Sequence, residues 1–297
     1  MRGRRLPRFF GIRMLHCGRF RLSLNRPLIM GIVNLTSDSF SGDGLAFDAK
    51  RAIFHAQQQI DAGADILDLG AESSRPGATP ASLEEEMDRL LPVLDALRGC
   101  AVPISIDTYK PEVMHATLNH GASMINDIFA LRHVGALEAV AGSDCSVCLM
   151  HMQGEPLTMQ QEPVYGDVVG EVGAFLAGRV DSAMAAGIVP ERLVLDPGFG
   201  FGKTLEQNLA LLARLDEMAY QGLPVLAGLS RKSMLGAITA RPVAGRLAAS
   251  VAAALLAASR GARILRVHDV AETRDALSVW QATEPFLGKP YRNHPSC

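Results

Sequence analysis

The sequence predicts an α/β fold, a single (β/α)8 TIM barrel with its active site at the C-terminal ends of the strands. Three observations predict it. Eight short apolar runs recur along the 297 residues, helix-like stretches lie between them, and every run ends in polar or charged residues. Strand then helix, repeated eight times, is the pattern of such a barrel. Parallel strands covered on both faces read as continuous apolar runs, as these do. An open doubly wound sheet would need a Gly-x-Gly-x-x-Gly turn after an early strand, and there is none.

In chain order, Leu28 to Val33 ends at Asn34. Ile66 to Leu69 overlaps a polar segment, Asp68 to Gly77, that carries Ser74, Arg75 and Pro76. Val102 to Ile106 ends at Asp107-Thr108, Ser123 to Ile125 at Asn126-Asp127, and Ser146 to Met150 at His151. Leu193 to Leu195 runs into Asp196-Pro-Gly-Phe-Gly-Phe-Gly-Lys203. Pro224 to Ala227 leads to Ser230-Arg231-Lys232-Ser233, and Arg263 to Val267 to His268-Asp269. Between the runs, Asp48 to Ala62, Ser82 to Leu97, Pro111 to His120 and Val168 to Ala186 are amphipathic. Gly63, Gly121, Gly187 and Gly261 each stand just before the next strand, where glycine suits a left-handed helix cap.

Composition narrows the function. The chain is 48% apolar and 20% charged, an ordinary globular balance. Its net charge of −2 hides an asymmetry: residues 1 to 26 hold eight Arg and no acid, which leaves 21 basic against 31 acidic residues in the rest. An acidic body with few aromatics is a poor nucleic-acid binder. No apolar stretch approaches the ~20 residues that span a bilayer, and Leu247 to Ala258 reads as a buried helix. Residues 1–25 are expected to be a basic lead-in, with Met14 a candidate internal start and Met1 to Arg13 a disordered extension, and 26–297 the barrel. Cys145 and Cys148 have CxxC spacing, but positions three apart in a strand face opposite sides. The cysteines therefore read as reduced thiols of a cytoplasmic protein.

The strand ends sort by charge. Arg75, Arg231, Lys232, Arg266 and His268 form a basic rim, suited to phosphate oxygens. Asn34 could hold a Mg²⁺ ion bridging phosphates. Asp107, Asn126 and Asp196, with Lys232, suit the edge of a flat heterocycle, since carboxylates accept from an amino and ring N–H edge and an amide both donates and accepts. Asp68 supports the site from within the barrel. Asp107 and Asp196 read alternatively as helix N-caps, Lys203 as a solvated charge, His151 as a packed histidine and Glu84-Glu85-Glu86 as an acidic first turn. The Gly- and Ser-rich segments Thr36 to Gly44 and Ser73 to Thr79 suit lids over the mouth.

The segments MGIVNLTSDSFS, LDLGAESSRPGA, ISIDTYKP, INDI, CLMHMQGEPLTMQ, LDPGFGFGK, GLSRKSMLG and RVHDV occur in an order that resembles the dihydropteroate synthase family, from Leu28 to Val270. The resemblance implies a homodimeric barrel that joins 4-aminobenzoate to 6-hydroxymethyl-7,8-dihydropterin diphosphate, with Mg²⁺, in folate biosynthesis, and that is a sulfonamide target. It further implies that Asp107, Asn126, Asp196 and Lys232 hold the pterin. Asn34, Ser74, Arg75, Arg266 and His268 would bind the diphosphate, with Asn34 on the metal. Ser74, Pro76, Phe201 and Ser233 would shape the aminobenzoate pocket. Asp107, Lys232, Arg266 and His268 would carry the catalysis, a dissociative displacement. Ser37, Ala71 and Ser74 depart from the family pattern of Pro, Gly and Thr, and bear on aminobenzoate affinity. A catalytically silent homologue, a pterin-dependent methyltransferase and a Lys232 Schiff-base aldolase are the rival readings.

Overall fold

The computed structural model of the chain describes residues 11–36, 48–72, 80–155, 158–160 and 163–283. It opens with an antiparallel hairpin, β1 (Met14–Cys17) and β2 (Phe20–Ser23), turned at Gly18. Eight parallel strands follow in chain order: β3 (Leu28–Asn34), β4 (Ile66–Gly70), β5 (Ile104–Asp107), β6 (Met124–Asp127), β7 (Ser146–Met150), β8 (Leu193–Asp196), β9 (Leu226–Ala227) and β10 (Ile264–Val267). β10 pairs with β3, and a parallel bridge between Leu195 and Val225 closes the ring. The barrel predicted from the eight runs is therefore formed.

The helices are α1 (Ala49–Asp61), α2 (Leu83–Ala96), α3 (Pro111–Asn119), α4 (Ala136–Ala141), α5 (Val168–Ala185), α6 (Leu205–Ala213), α7 (Ser233–Thr239), α8 (Leu247–Ser259) and α9 (Val270–Thr283). Their punctuation is local chemistry. Asp48 accepts from the Lys50 and Arg51 amides, and Ser82 with Glu85 and Thr204 with Gln207 form reciprocal capping boxes. Gly63, Gly121, Gly187 and Gly261 have φ of +90° to +99°, a backbone region that glycine enters without steric cost.

Alternation along each strand divides the interior. Ile29, Val33, Leu67, Leu69, Ile125, Val147 and Leu195 point outward into the layer under the helices. Leu28, Met30, Ile66, Met124, Cys148, Val194, Leu226 and Ile264 form a separate inner cluster, joined by Leu15, Cys17 and Leu24 of the hairpin. The hairpin thus plugs the N-terminal end of the barrel. Each fully buried leucine there contributes about 1.5–3 kcal/mol relative to exposure. Cys145 belongs to the outer layer and Cys148 to the inner one, as the spacing argument required, and both are free thiols.

Four sequence expectations shift. Ile12 is bound to the body and Arg13 to the hairpin: the Ile12 amide donates to the Gly222 carbonyl, and Leu24 donates to that of Arg13. The lead-in is thus partly a structural hairpin. β6 extends to Asp127, because Asn126 turns inward and the Asp127 carboxylate accepts from the Phe129 and Leu131 amides. β9 shortens to Leu226–Ala227, Val225 making only the closing bridge. The segment from Leu247 to Ala258 is not wholly buried: Ala253, Ala254, Ala257 and Ala258 are covered, while Leu247 and Leu256 are 40% and 46% exposed. No helix among the described residues is long and apolar enough to cross a membrane.

Candidate active site

The inward face changes character two residues further along the strands. Asp68 follows Ile66, Asn126 follows Met124, Asp196 follows Val194 and Arg266 follows Ile264. Side chains two apart share a face, so these four stand directly above the apolar inner cluster. Strand register places Asn34 beside Gly70, Gly70 beside Asp107 and Asp107 beside Asn126. One polar layer thus converges at the C-terminal mouth.

Its hydrogen bonds are incomplete. Arg266 Nε donates to Asp68 Oδ2 and its Nη2 to Asp107 Oδ2, both at 2.6 Å. Asn126 Nδ2 lies 3.3 Å from the same Asp68 oxygen. Asp68 Oδ1 and Asn126 Oδ1 are buried with no hydrogen-bond partner. An unmet buried polar atom costs about 1–3 kcal/mol, so the layer is poised to accept donors from a ligand. Burial pushes the Asp107 carboxyl up, and the Arg266 guanidinium opposes it. Asp196 is likewise raised by burial, while its Oδ1 accepts from the Gly198 amide at 2.7 Å.

Lys232 reaches in from the N-terminus of α7. Its Nζ donates to the Phe199 carbonyl and lies 4.2 Å from the centroid of the Phe201 ring. Burial lowers its pKa to about 8, with Asp196 opposing. Phe201 packs with Ile128, Met150, Met152 and Met159 along one side of the mouth. His268 Nδ1 sits 2.9 Å from Ser230 Oγ. Arg231 is engaged by Asp269 at 2.5 Å. Ser233 is exposed at the start of α7, and Asn34 is partly buried at the end of β3.

Several sequence readings are resolved. Arg266 reaches the mouth and is there the counter-ion of two carboxylates, Asp68 and Asp107. Asp107 caps no helix, since Lys110 holds the N-cap position of α3. Asp196 does cap its own turn while facing the mouth. Lys203 is not solvated: it is 3% exposed, its Nζ donating to the Gly198 and Phe201 carbonyls at 2.9 Å and to His151 Nδ1 at 3.0 Å. Burial lowers its pKa to about 7. His151 is packed edge-on against Phe175, and burial, then the charge of Lys203, lowers it to about 3. Glu86 is more than an acidic first turn: it is buried and shares Lys110 with Glu72, at 2.6 and 2.5 Å. The partners of Lys110 were missed in the sequence, where only its place three residues after Asp107 marks it. Ala71 is buried, its carbonyl accepting from Arg89. Ser37, Ser74, Arg75 and Pro76, and the two glycine- and serine-rich segments that carry them, lie outside the described residues apart from Thr36.

Comparison with known proteins shows the family and the fold. The family model described as "Pterin binding enzyme" matches residues 30–268. Dihydropteroate synthase of Neisseria meningitidis serogroup B is 52% identical over 272 residues, covering 89% of this chain and 95% of that one. The crystal structure of Burkholderia cenocepacia dihydropteroate synthase complexed with 7,8-dihydropteroate is 50% identical, with a TM-score of 0.86, covering 93% and 98%. That of Xanthomonas albilineans dihydropteroate synthase with 4-aminobenzoic acid is 51% identical, with a TM-score of 0.87, covering 92% and 98%.

Proposed function

The chain belongs to the pterin-binding enzymes and, within them, to the dihydropteroate synthases, and from that premise we propose how its own residues perform the transfer. The reaction joins 6-hydroxymethyl-7,8-dihydropterin diphosphate to 4-aminobenzoate, giving 7,8-dihydropteroate and diphosphate in folate biosynthesis. The observation that carries the residue assignment is the polar layer with two unpartnered oxygens, on Asp68 and Asn126.

The amino and ring N–H groups of a pterin supply the donors that layer lacks. Asp107, Asn126 and Asp196 accept from its edge and Lys232 donates to its carbonyl side. Arg266 then exchanges at least one carboxylate for a diphosphate oxygen, joined by His268 and by Arg75 and Ser74. Charge develops on the departing diphosphate as the bond between the methylene carbon and oxygen breaks, and these groups stabilise it there by charge and hydrogen bonding. The positive charge left on the pterin methylene is delocalised into the ring, beside the Asp107 and Asp196 carboxylates. The aminobenzoate nitrogen, held against Phe201 with Ser74, Pro76 and Ser233, forms the new bond and releases its proton to solvent or diphosphate.

Magnesium fits one arrangement. No cluster of three His, Cys, Asp or Glu side chains suited to a metal exists among the described residues. The Asn34 amide oxygen, at the mouth beside Gly70, would hold the ion together with diphosphate oxygens and water, all oxygen ligands of the kind this cation takes. Bound there it supplies charge neutralisation for the leaving group.

A homodimer is part of the same reading. Leu247 and Leu256 on α8, with Ile238 and Val243 beside it, are exposed apolar side chains suited to a second copy. A cytoplasmic location fits the free thiols Cys17, Cys100, Cys145 and Cys148.

The test is diphosphate release by purified protein with Mg²⁺ and the pterin diphosphate, with and without 4-aminobenzoate, alongside chromatography for dihydropteroate. Release that depends on aminobenzoate and yields product supports the reading. Tight pterin binding without product would favour a silent homologue.

A further inference from the structure

The loop from Gly198 to Lys203 follows β8 and carries Phe199, Phe201 and the contacts to Lys232, yet no strand or helix holds it. Six successive carbonyls are instead met by side chains. Gly198 and Phe201 accept from Lys203, Phe199 from Lys232, Gly200 from Gln160, Gly202 from Tyr165, and Lys203 from Asn208. Lys203 alone serves two of the six. It also reaches back to the end of β7, where His151 offers both Nδ1 and, at 3.4 Å, its carbonyl.

The loop lies close on both sides. A Cβ on Gly198 would stand 1.9 Å from the His151 carbonyl oxygen, and one on Gly200 would stand 3.1 Å from Cδ of Lys232. Small displacements of this backbone therefore move Lys232 and the Phe201 ring directly. A buried ammonium shared among acceptors of three residues is costly unless its bonds are made, so it holds one geometry firmly.

We propose that Lys203 is a positioning residue for the transfer: its buried ammonium, clamped between His151 and the Gly198 and Phe201 carbonyls, sets the placement of the Phe201 ring and of Lys232 at the mouth. It touches no reacting atom and acts through those two side chains. The proposal rests on the assignment of Phe201 to the aminobenzoate pocket.

The experiment is steady-state kinetics of dihydropteroate formation for wild type, Lys203→Met, Phe201→Ala and the double variant, with thermal unfolding recorded for each. In Lys203→Met the KM for aminobenzoate is expected to rise roughly tenfold, with kcat falling about threefold or less. Added to Phe201→Ala, the same substitution should shift that KM by less than about twofold, because of the two side chains it acts through the one assigned to aminobenzoate is gone. A folded Lys203→Met with both constants near wild type overturns the proposal. So does an effect that is undiminished in the Phe201→Ala background, which would mark a general structural role. If Lys203→Met does not accumulate as folded protein, His151→Phe removes the Nδ1 acceptor alone and is read by the same two criteria. A wild type that makes no aminobenzoate-dependent product would remove the underlying assignment, whereas an active wild type with an indifferent variant removes only the role of Lys203.

Discussion

The two ends of the barrel interior are built from the same strands and solved in opposite ways. At the N-terminal end, Met30, Ile66, Met124, Val194 and Ile264 close on Leu15, Cys17 and Leu24 of the hairpin, and apolar burial is complete. Two residues further on, Asp68, Asn126, Asp196 and Arg266 face the same axis, and two of their oxygens have no partner. The lower layer is stabilised by being finished. The upper layer is left unfinished, and the shortfall is what a donor-rich substrate can fill.

The largest expected effect separates the two ends by charge. Arg266→Met leaves Asp68 and Asp107 buried without their guanidinium, which should destabilise the fold by about 3–5 kcal/mol. It should also lower kcat/KM by roughly 10²–10³. Chemical denaturation and steady-state kinetics read both. Asp107→Asn should match the kinetic loss with unchanged or higher stability, because it removes a carboxylate that burial disfavours. A large loss of stability there would contradict the contrast.

Leu15→Ala, in the plug, should cost about 2–5 kcal/mol. It should leave kcat/KM within about twofold at temperatures where it is folded, since Leu15 packs in the apolar cluster beneath the polar layer. A matching kinetic defect would mean that the ends are coupled.

A pH effect sharpens the contrast at the mouth. Folded His151 takes a proton only near pH 3, whereas its unfolded counterpart does so near 6.5. Between those values the unfolded state binds the extra proton, so stability falls as pH drops from about 6.5 toward 3. His151→Phe should lose less stability over that window than wild type does, measured by denaturant midpoints at several pH values. The smallest effect belongs to Arg26→Ala at the N-terminal rim. Arg26 is half exposed and Arg274 still engages Asp65, so about 0.2–1 kcal/mol should be lost, with no kinetic change.

The eight runs, the glycine caps and the polar strand ends were legible because each depends on neighbours two to four residues away. The ring of Asn34, Asp107, Asn126 and Asp196 could be placed at one mouth for the same reason, since parallel register aligns strand ends. The carboxylate partners of Arg266 were not legible, because they lie 198 and 159 residues away, on β4 and β5. Lys203 looked like a solvated charge after a glycine-rich turn, because nothing local shows that His151 and the folded-back loop enclose it. The hairpin was hidden for a related reason: Arg19 and Arg21 dominate its composition, while Leu15 and Cys17 show their role only under the closed strands.

Sequence by itself determined the order of the eight barrel strands and which residue types gather at the mouth, because these follow from short-range periodicity and backbone sterics. Tertiary structure alone decided which charges meet, which oxygens stay unpartnered and which lysine is buried. Those outcomes depend on the few ångströms between side chains brought together by closure of the ring, a separation that spacing along the chain does not encode.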